Sequence, residues 1–467
     1  MEFHLLINGR LLVGASTMDV INPATGRSFA TCPRADTNQL EEAISAAQAA
    51  FPAWAALGYD ERRKKLEAFA AAMMARAQEI GRVLTLEQGK PLPHAVEEVE
   101  RSAGVLRYYA SQKLQLQVLR EDEHSRVIEH RTPLGVVAAI TPWNFPMMLL
   151  MLKIGPALIT GNTVIAKPAP TTPLTTLMIG EVAAEILAPG VLQTIADAND
   201  LGPLLTAHPG IRQVSFTGST ASGKKVLASV ANTLKRFQLE LGGNDAAIVL
   251  DDADISKVAP MIFSNATYNC GQICVATKRV YAPEGLYDEL CAALGKLAEK
   301  SIVGDGLERG TTMGPVQNQR QYEKLLGFLG EAREKGKIVA GGKPLDREGY
   351  FIPPTIVCDI PDNARLVREE QFGPILPVLR YRDIEDAISR ANNSEYGLAG
   401  SVWTSDVKRG EEIAKKIDTG TVWVNREINL PPDIPFGGAK QSGIGRQQGV
   451  EGLQEFTQAK VVNIGFG

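Results

Sequence analysis

From Gly135 onward the sequence alternates between short apolar runs and helical segments. GVVAAITP is followed by the helical MLLMLKIGPALIT, then NTVIAKP, PLTTLMIGEVAAEIL, VLQTIAD and IRQVSFTG. Apolar strands separated by helices have no wet face, so this alternation dictates a parallel sheet covered by helices on both sides. Such sheets bind nucleotides outside the carboxyl ends of their strands. The loops TPWNFP, KPAP and TGSTASG, which follow three of these runs, are therefore where ligand groups are expected. A second α/β segment begins near residue 243. There AAIVLDD, KRVYAP, FIPPTIV, PILPVLRY, SVWTS and TGTVWVN read as strands and GLYDELCAALGKLAEK as a helix.

A chain of 467 residues exceeds what one core organises, so two or three domains are expected. The first third reads as helical. AISAAQAAFPAWAAL, residues 61–80 and PHAVEEVERSAGVLRYYASQK carry Ala, Leu and Phe at helical spacing. The period then changes. LQLQVLR and RVIEHR alternate like half-buried strands around the polar EDEHS, which predicts a hairpin. A short hairpin is marginal alone, so this one is expected to pair outside its own domain, and the apolar tail LQEFTQAKVVNIG is the candidate to join it.

Lys and Arg number 49 against 53 Asp and Glu, a formal net charge of -4, which leaves no electrostatic footprint for nucleic acid or an anionic membrane. No run approaches the roughly 18 apolar residues of a membrane-spanning helix. The opening MEFHLLINGRLLVGAS lacks the apolar core and cleavage site of a signal peptide, so a cytoplasmic protein is expected. Five sparse cysteines, Cys32, Cys270, Cys274, Cys291 and Cys358, argue for reduced thiols rather than a disulfide framework. Cys270 and Cys274 have no nearby histidine and no second pair, so no metal site is expected.

Three segments carry candidate chemistry. NCGQICVA places Cys274 in a segment entering an apolar turn, where it is either a small buried hydrophobe or a nucleophile. LELGGND sets Glu240 between two leucines, where a carboxylate is either satisfied structurally or held with a raised pKa as a general base requires. TPWNFP sets Asn144 between Trp143 and Phe145, where its amide could donate to a developing oxyanion. Cys291, inside an amphipathic helix, reads as core. SGIGRQQG contains a Gly-x-Gly but follows no predicted strand, and it is not a dinucleotide fingerprint.

Taken together, TPWNFP, VIAKP, FTGST, LELGG, GQIC, EEQFGP and PFGGAKQSGIGR stand in one order along nearly the whole chain. In this the sequence resembles the aldehyde dehydrogenase superfamily. The resemblance implies that Cys274 attacks an aldehyde carbonyl and that Asn144 and the Cys274 backbone N–H hold the oxyanion. It implies that hydride then leaves for a nicotinamide, and that Glu240 activates water to hydrolyse the thioester. Glu370 and Phe372 match positions at the nicotinamide ribose and ring, Lys167 the adenine ribose, and Trp143, Gly218 and Ser219 the pyrophosphate. A carbonyl carbon releases hydride only after an electron-rich substituent is added. A thiolate supplies one and leaves a hydrolysable thioester, which then needs a dedicated base.

The sequence departs from the family's pattern at several positions. Pro170 stands where many relatives carry a glutamate that binds the adenine ribose, so exclusion of NADP is weakened. With no basic residue to draw the 2′-phosphate, NAD is slightly favoured over NADP. Gln447 replaces a glutamate that relatives place after the arginine matching Arg446. The aldehyde tunnel maps to Phe145, Leu149, Leu152, Tyr268, Ile273, Val275, Leu430 and Phe436. Relatives acting on succinic semialdehyde carry arginine at the position of Leu152 and often near Asn269. Their absence disfavours that substrate unless Arg426 reaches inward, and a medium-chain aliphatic or aromatic aldehyde is expected. A CoA-acylating relative typically lacks the base, and a non-catalytic scaffold usually loses the base or the nucleophile. The expected architecture is an NAD(P)-binding parallel-sheet domain (1–117 and 133–242), an α/β catalytic domain (243–441) and a small β oligomerisation arm (118–132 and 442–467) that forms a homodimer or homotetramer.

Overall fold

The computed structural model describes residues 2–466. Two sheets carry the fold. In the first, Leu192–Thr194, Thr163–Lys167, Val136–Ile140, Ile211–Thr217 and Arg236–Glu240 run parallel in that spatial order. The short strand Gly443–Ile444 closes one edge antiparallel, opposite Leu239 and Glu240. In the second sheet Thr355–Cys358, Ile375–Tyr381, Thr277–Pro283, Asp245–Val249, Ala399–Trp403 and Thr421–Val424 are parallel, and Lys337–Ala340 adds an antiparallel edge. The predicted α/β class is the observed one. Strand alternation explains the double cover of the second sheet: Ala246 and Ile248 join one apolar cluster, while Ala247 and Val249 join another on the opposite face.

The N-terminal segment corrects the helical expectation for the first third. Residues 5–34 form Leu5–Ile7, Arg10–Leu12, Ser16–Asn22 and Arg27–Arg34, and only then does helix Thr37–Ala56 begin, on an Asp36–Gln39 capping box. Asn8 and Gly9 both have positive φ, 53° and 72°, and Ile7 pairs with Arg10. This is the two-residue Asn-Gly hairpin turn whose twist suits antiparallel strands, a signal present in the sequence that the helical reading passed over. Leu6 then pairs with Thr194, so the hairpin extends the first sheet.

The hairpin Gln117–Glu121 and Ser125–Pro133 forms around Asp122, whose carboxylate accepts from the His124 and Ser125 N–H groups. The tail strand Thr457–Gly465 pairs with Ser125–Pro133 along its full length. Leu119, Val461 and Ile464 of this three-stranded sheet are exposed.

Buried polar groups fasten the two lobes. Helix Leu174–Ile186 has no side-chain cap of its own. Glu87, from helix Ala77–Gln88, accepts from the Leu174 and Thr175 N–H groups at 2.7 and 3.0 Å and from the Thr175 hydroxyl. Gln317 of the second lobe donates to the Glu87 and Thr171 carbonyls. Replacing Glu87 by Ala strands two backbone N–H groups away from water, at about 1–3 kcal/mol each. Glu87→Ala is therefore expected to lower the thermal unfolding midpoint by several degrees, and Glu87→Gln, which keeps an acceptor, to recover part of the loss. Equal midpoints for Ala and wild type would refute this account.

Candidate active site

Helix Ile255–Thr267 ends in a tight turn in which Asn269, Cys270 and Gly271 all take left-handed backbone, with φ of 51°, 59° and 67°. A Cβ at Gly271 would lie 2.4 Å from the Gly373 carbonyl oxygen, so the position has room only for glycine. Gln272 holds the turn: its amide donates to the Asn269 carbonyl at 3.0 Å, and its side-chain oxygen accepts from the Gln317 N–H at 2.9 Å. The buried Lys278 ammonium donates to the Ile273 and Ala276 carbonyls, one on either side of Cys274 in the chain. Burial pushes the Cys274 thiol up to about 12, with Lys278 opposing that shift and Asp245, Glu240 and Glu370 adding to it. The thiol is thus neutral until positive charge or a base reaches it.

Asn144 is placed from the opposite lobe, in the loop between Val136–Ile140 and helix Pro146–Ile159. Its carbonyl accepts from Lys90 and from the Asn269 amide, each at 3.0 Å, and its own amide donates to the Gln272 carbonyl at 2.9 Å. Lys90 is fully enclosed. It pairs with buried Glu98 and sits 3.8 Å over the Phe145 ring. Glu98 in turn accepts from the Met147 and Met148 N–H groups that open the helix. One buried ion pair therefore fixes both the Asn144 backbone and the helix start.

Glu240 ends strand Arg236–Glu240, and neither carboxyl oxygen has a hydrogen-bond partner among the described residues. Burial raises its pKa to about 8, against the pull of Lys153 and Arg446. Lys153 is wholly buried and donates to the Thr217 and Ser215 hydroxyls at 2.8 and 3.2 Å. Ser215 donates to Gln238, which also accepts from Gln447 at 3.4 Å. Gln447 thus ends a neutral chain of hydrogen bonds rather than adding a second carboxylate.

Two cavities meet at Cys274. The first, about 300 Å³, is walled by Phe145, Met148, Leu149, Leu152, Tyr268, Ile273, Val275 and Leu430, with Asn144 and Cys274 at its inner end. Phe436, expected on this wall, lies behind it instead, packed with Ile273, Val275 and Leu398. Its strand-like segment bridges to Gln447, which turns the ring into the core. Arg426 is exposed and off the wall, whereas Arg101, from helix Leu92–Ser111, lies on it within 3.6 Å of Glu97.

The second cavity, about 650 Å³, shares Asn144, Leu149 and Cys274 with the first and adds Trp143, Gly218, Ser219, Glu370 and Phe372. Trp143 and Phe372 meet edge to face at 5.3 Å. Glu370 accepts from the Gly243 N–H at 3.0 Å, and a Cβ on Gly242 would strike its carboxylate at 2.5 Å. Ser219 caps helix Thr220–Ala231, whose N-terminus opens into this space. Lys167, Pro170 and Asn199 line the adjoining outer part of the cleft. A long cleft with a helix N-terminus midway and two aromatic rings at its inner end fits a dinucleotide.

The aldehyde dehydrogenase family model matches residues 13–462. The chain belongs to the aldehyde dehydrogenase family. It is 37% identical to the succinate-semialdehyde dehydrogenase (NADP(+)) GabD of Escherichia coli, over 99% of this chain and 97% of that protein. It is 36% identical to a glutarate-semialdehyde dehydrogenase of Pseudomonas aeruginosa, over 96% and 94%. Its fold superposes on an NAD+ complex of an aldehyde dehydrogenase from Bacillus cereus with a TM-score of 0.97 at 35% identity, covering 100% and 97% of the two chains. Like these relatives, it is an NAD(P)-dependent oxidoreductase.

Several residues that frame the site in this aldehyde dehydrogenase were not singled out in its sequence. Glu98, Lys153 and Lys278 sit on helices or strands whose apolar period gives no hint of a buried charge. Lys90 is enclosed in the loop between two helices, and Arg101 is an exposed helix residue that reaches the tunnel wall. The one usable signal was for Lys153, a lone lysine in the otherwise apolar MLLMLKIGPALI. The turn at 269–271 gives a direct test. Gly271→Ala is expected to cut turnover at least about tenfold while cofactor affinity changes little, because the added methyl displaces Cys274 and not the cleft. Unchanged turnover would show that the turn does not position the cysteine.

Proposed function

We propose that the chain oxidises a medium-chain aliphatic or aromatic aldehyde to its carboxylic acid through a thioester on Cys274. The single observation that carries this reading is that Cys274 and Asn144 line both the apolar tunnel and the dinucleotide cleft. The Cys274 thiol gives up its proton to solvent as its sulfur adds to the carbonyl carbon. The Asn144 amide and the Cys274 N–H receive the negative charge on the oxygen, the kind of fixed dipole that stabilises a developing oxyanion without reorganisation. The nicotinamide cofactor, when bound, supplies the hydride acceptor. Glu240, ionised, takes a proton from the water that attacks the thioester, and it has no protein partner to release first. Lys153 holds positive charge or a proton close to Glu240 and is itself depressed to about 7 by burial. NAD is the cofactor we favour, since Pro170 adds no charge at the adenosine end.

A second reading rests on Arg101. An aldehyde bearing a distal carboxylate would reach this guanidinium at the tunnel wall, as an ω-oxo acid could, although Glu97 already neutralises part of its charge. The free cysteines suit a reducing compartment, and we place the enzyme in the cytoplasm; localisation of a tagged chain to another compartment would overturn this. We also propose that the arm of Gln117–Glu121, Ser125–Pro133 and Thr457–Gly465 pairs with a second copy, because its apolar Leu119, Val461 and Ile464 are exposed. Light scattering at micromolar concentration should report a dimer or tetramer, and a monomer would exclude the pairing.

The catalytic reading is tested by following reduced-cofactor formation with hexanal, benzaldehyde, succinic semialdehyde and glutaric semialdehyde. Cys274→Ala should be inactive with all four. Glu240→Gln should keep a first-turnover burst while steady turnover falls about 10²–10⁴-fold. Because Glu240 must be ionised to act, wild-type deacylation should rise with pH through about 8, and the mutant should lose that limb. A burst absent from Glu240→Gln would assign the residue to an earlier step. Faster turnover of the two semialdehydes than of hexanal, abolished in Arg101→Ala, would replace the first substrate reading by the second.

A further inference from the structure

The adenosine end of the cleft holds an ion pair that none of the motifs predicts. Lys167, the side chain read above as the ribose-binding lysine, places its ammonium 2.6 Å from Asp197 Oδ1. Asp197 is completely buried and does not face the cleft; it lies behind Lys167. Its other oxygen, Oδ2, accepts from the Leu201 N–H at 2.9 Å. The carboxylate is therefore held from both sides. Separating it from Lys167 would leave two bare charges in the interior, so the pair persists when ligand binds.

The consequence is electrostatic. The Lys167 ammonium can still donate its remaining hydrogens to ribose hydroxyls, but its charge is already compensated. Around it, Pro168, Ala169 and Pro170 bring no charge; Asp19 and Arg320 on the same wall are of opposite sign, and Lys225 lies in the adjoining inner cavity. A 2′-phosphate, carrying about −1.5 to −2 charge, would find the lysine beside it already compensated by a fixed carboxylate just behind. A ribose with two free hydroxyls meets a donor and no penalty.

We infer that Asp197 sets the cofactor preference of this enzyme, acting through Lys167 as a positioning residue that favours NAD and rejects the 2′-phosphate of NADP. It would do from behind the lysine what a glutamate at the position of Pro170 does in front of it. The inference rests on the reading of Lys167 as the ribose-binding residue, and the experiment separates the two.

NADH and NADPH binding are measured without aldehyde, by fluorescence of the bound reduced nicotinamide, for wild type, Asp197→Asn and Lys167→Met. Asparagine can still accept from Leu201, so Asp197→Asn removes charge with little change of shape. Wild type should bind NADH at least about tenfold more tightly than NADPH, and Asp197→Asn should narrow that ratio to about threefold or less, chiefly by tightening NADPH. An unchanged ratio in Asp197→Asn, or a wild type that prefers NADPH, overturns the inference. If Lys167→Met binds NADH as well as wild type does, the ribose reading itself fails. If Lys167→Met loses NADH while the Asp197→Asn ratio stays put, only the role of Asp197 fails. Competition against bound NADH by ADP-ribose and its 2′-phosphate on wild type alone needs no variant to fold. ADP-ribose should win by about tenfold or more, and equal competition would overturn the proposal.

Discussion

The left-handed turn at Asn269, Cys270 and Gly271 is the constraint on which the site depends. Two non-glycine residues in that backbone region cost on the order of 1–3 kcal/mol each unless their surroundings determine them. Here they are determined from both lobes. Gln272 is held by Gln317, Asn269 reaches the Asn144 carbonyl, and Lys278 gathers the carbonyls that flank Cys274. The strained turn thus acts as the joint where the loop of one sheet meets the loop of the other. Cys274 and Asn144 come together because the same hydrogen bonds that tolerate the strain also span the lobe boundary.

Around this joint the protein buries charge on a scale that stability alone does not favour. Glu98 with Lys90, Asp197 with Lys167, and Lys153 near Glu240 each cost desolvation that an apolar replacement would avoid. They differ in what they do with it. The Lys90–Glu98 pair is closed, with its hydrogen bonds spent on the Asn144 carbonyl and a helix start. Glu240 is open, with both oxygens unpartnered and its pKa raised to about 8 by burial. A closed pair holds geometry, whereas a bare carboxyl is available to take a proton. The same physical cost therefore yields scaffold in one place and proposed base chemistry in another.

The tunnel and the cleft show how little of specificity lies in the reacting groups. The roles proposed for Cys274, Asn144 and Glu240 serve the oxidation of any aldehyde. On the readings proposed above, the choice of aldehyde would depend on the apolar wall and on Arg101 set in it, and the choice of cofactor on the surroundings of Lys167. In both proposals the charge is contributed by an element other than the loop that carries the motif.

Much was legible in the sequence. The apolar runs determined two parallel sheets, because strands without a wet face must be covered on both sides. The hairpin and tail strands were readable from their alternation, and the short motifs pointed to the loops that build the site, which the fold brings to one place. The rest needed tertiary structure. The strands Leu5–Ile7 and Arg10–Leu12 were hidden because three-residue runs carry no period, and the first of them is laddered by Leu192–Thr194, far along the chain. Phe436 was expected on the tunnel wall and turns into the core, because its neighbourhood is set by a bridge to Gln447. Lys90, Glu98 and Asp197 became visible only through their partners, since periodicity reports which face of an element is apolar and not which charge it encloses. Local pattern determined the elements and the motif loops; the contacts between lobes alone decided which buried charges stand beside them, because those contacts join residues that are close in space and distant in sequence.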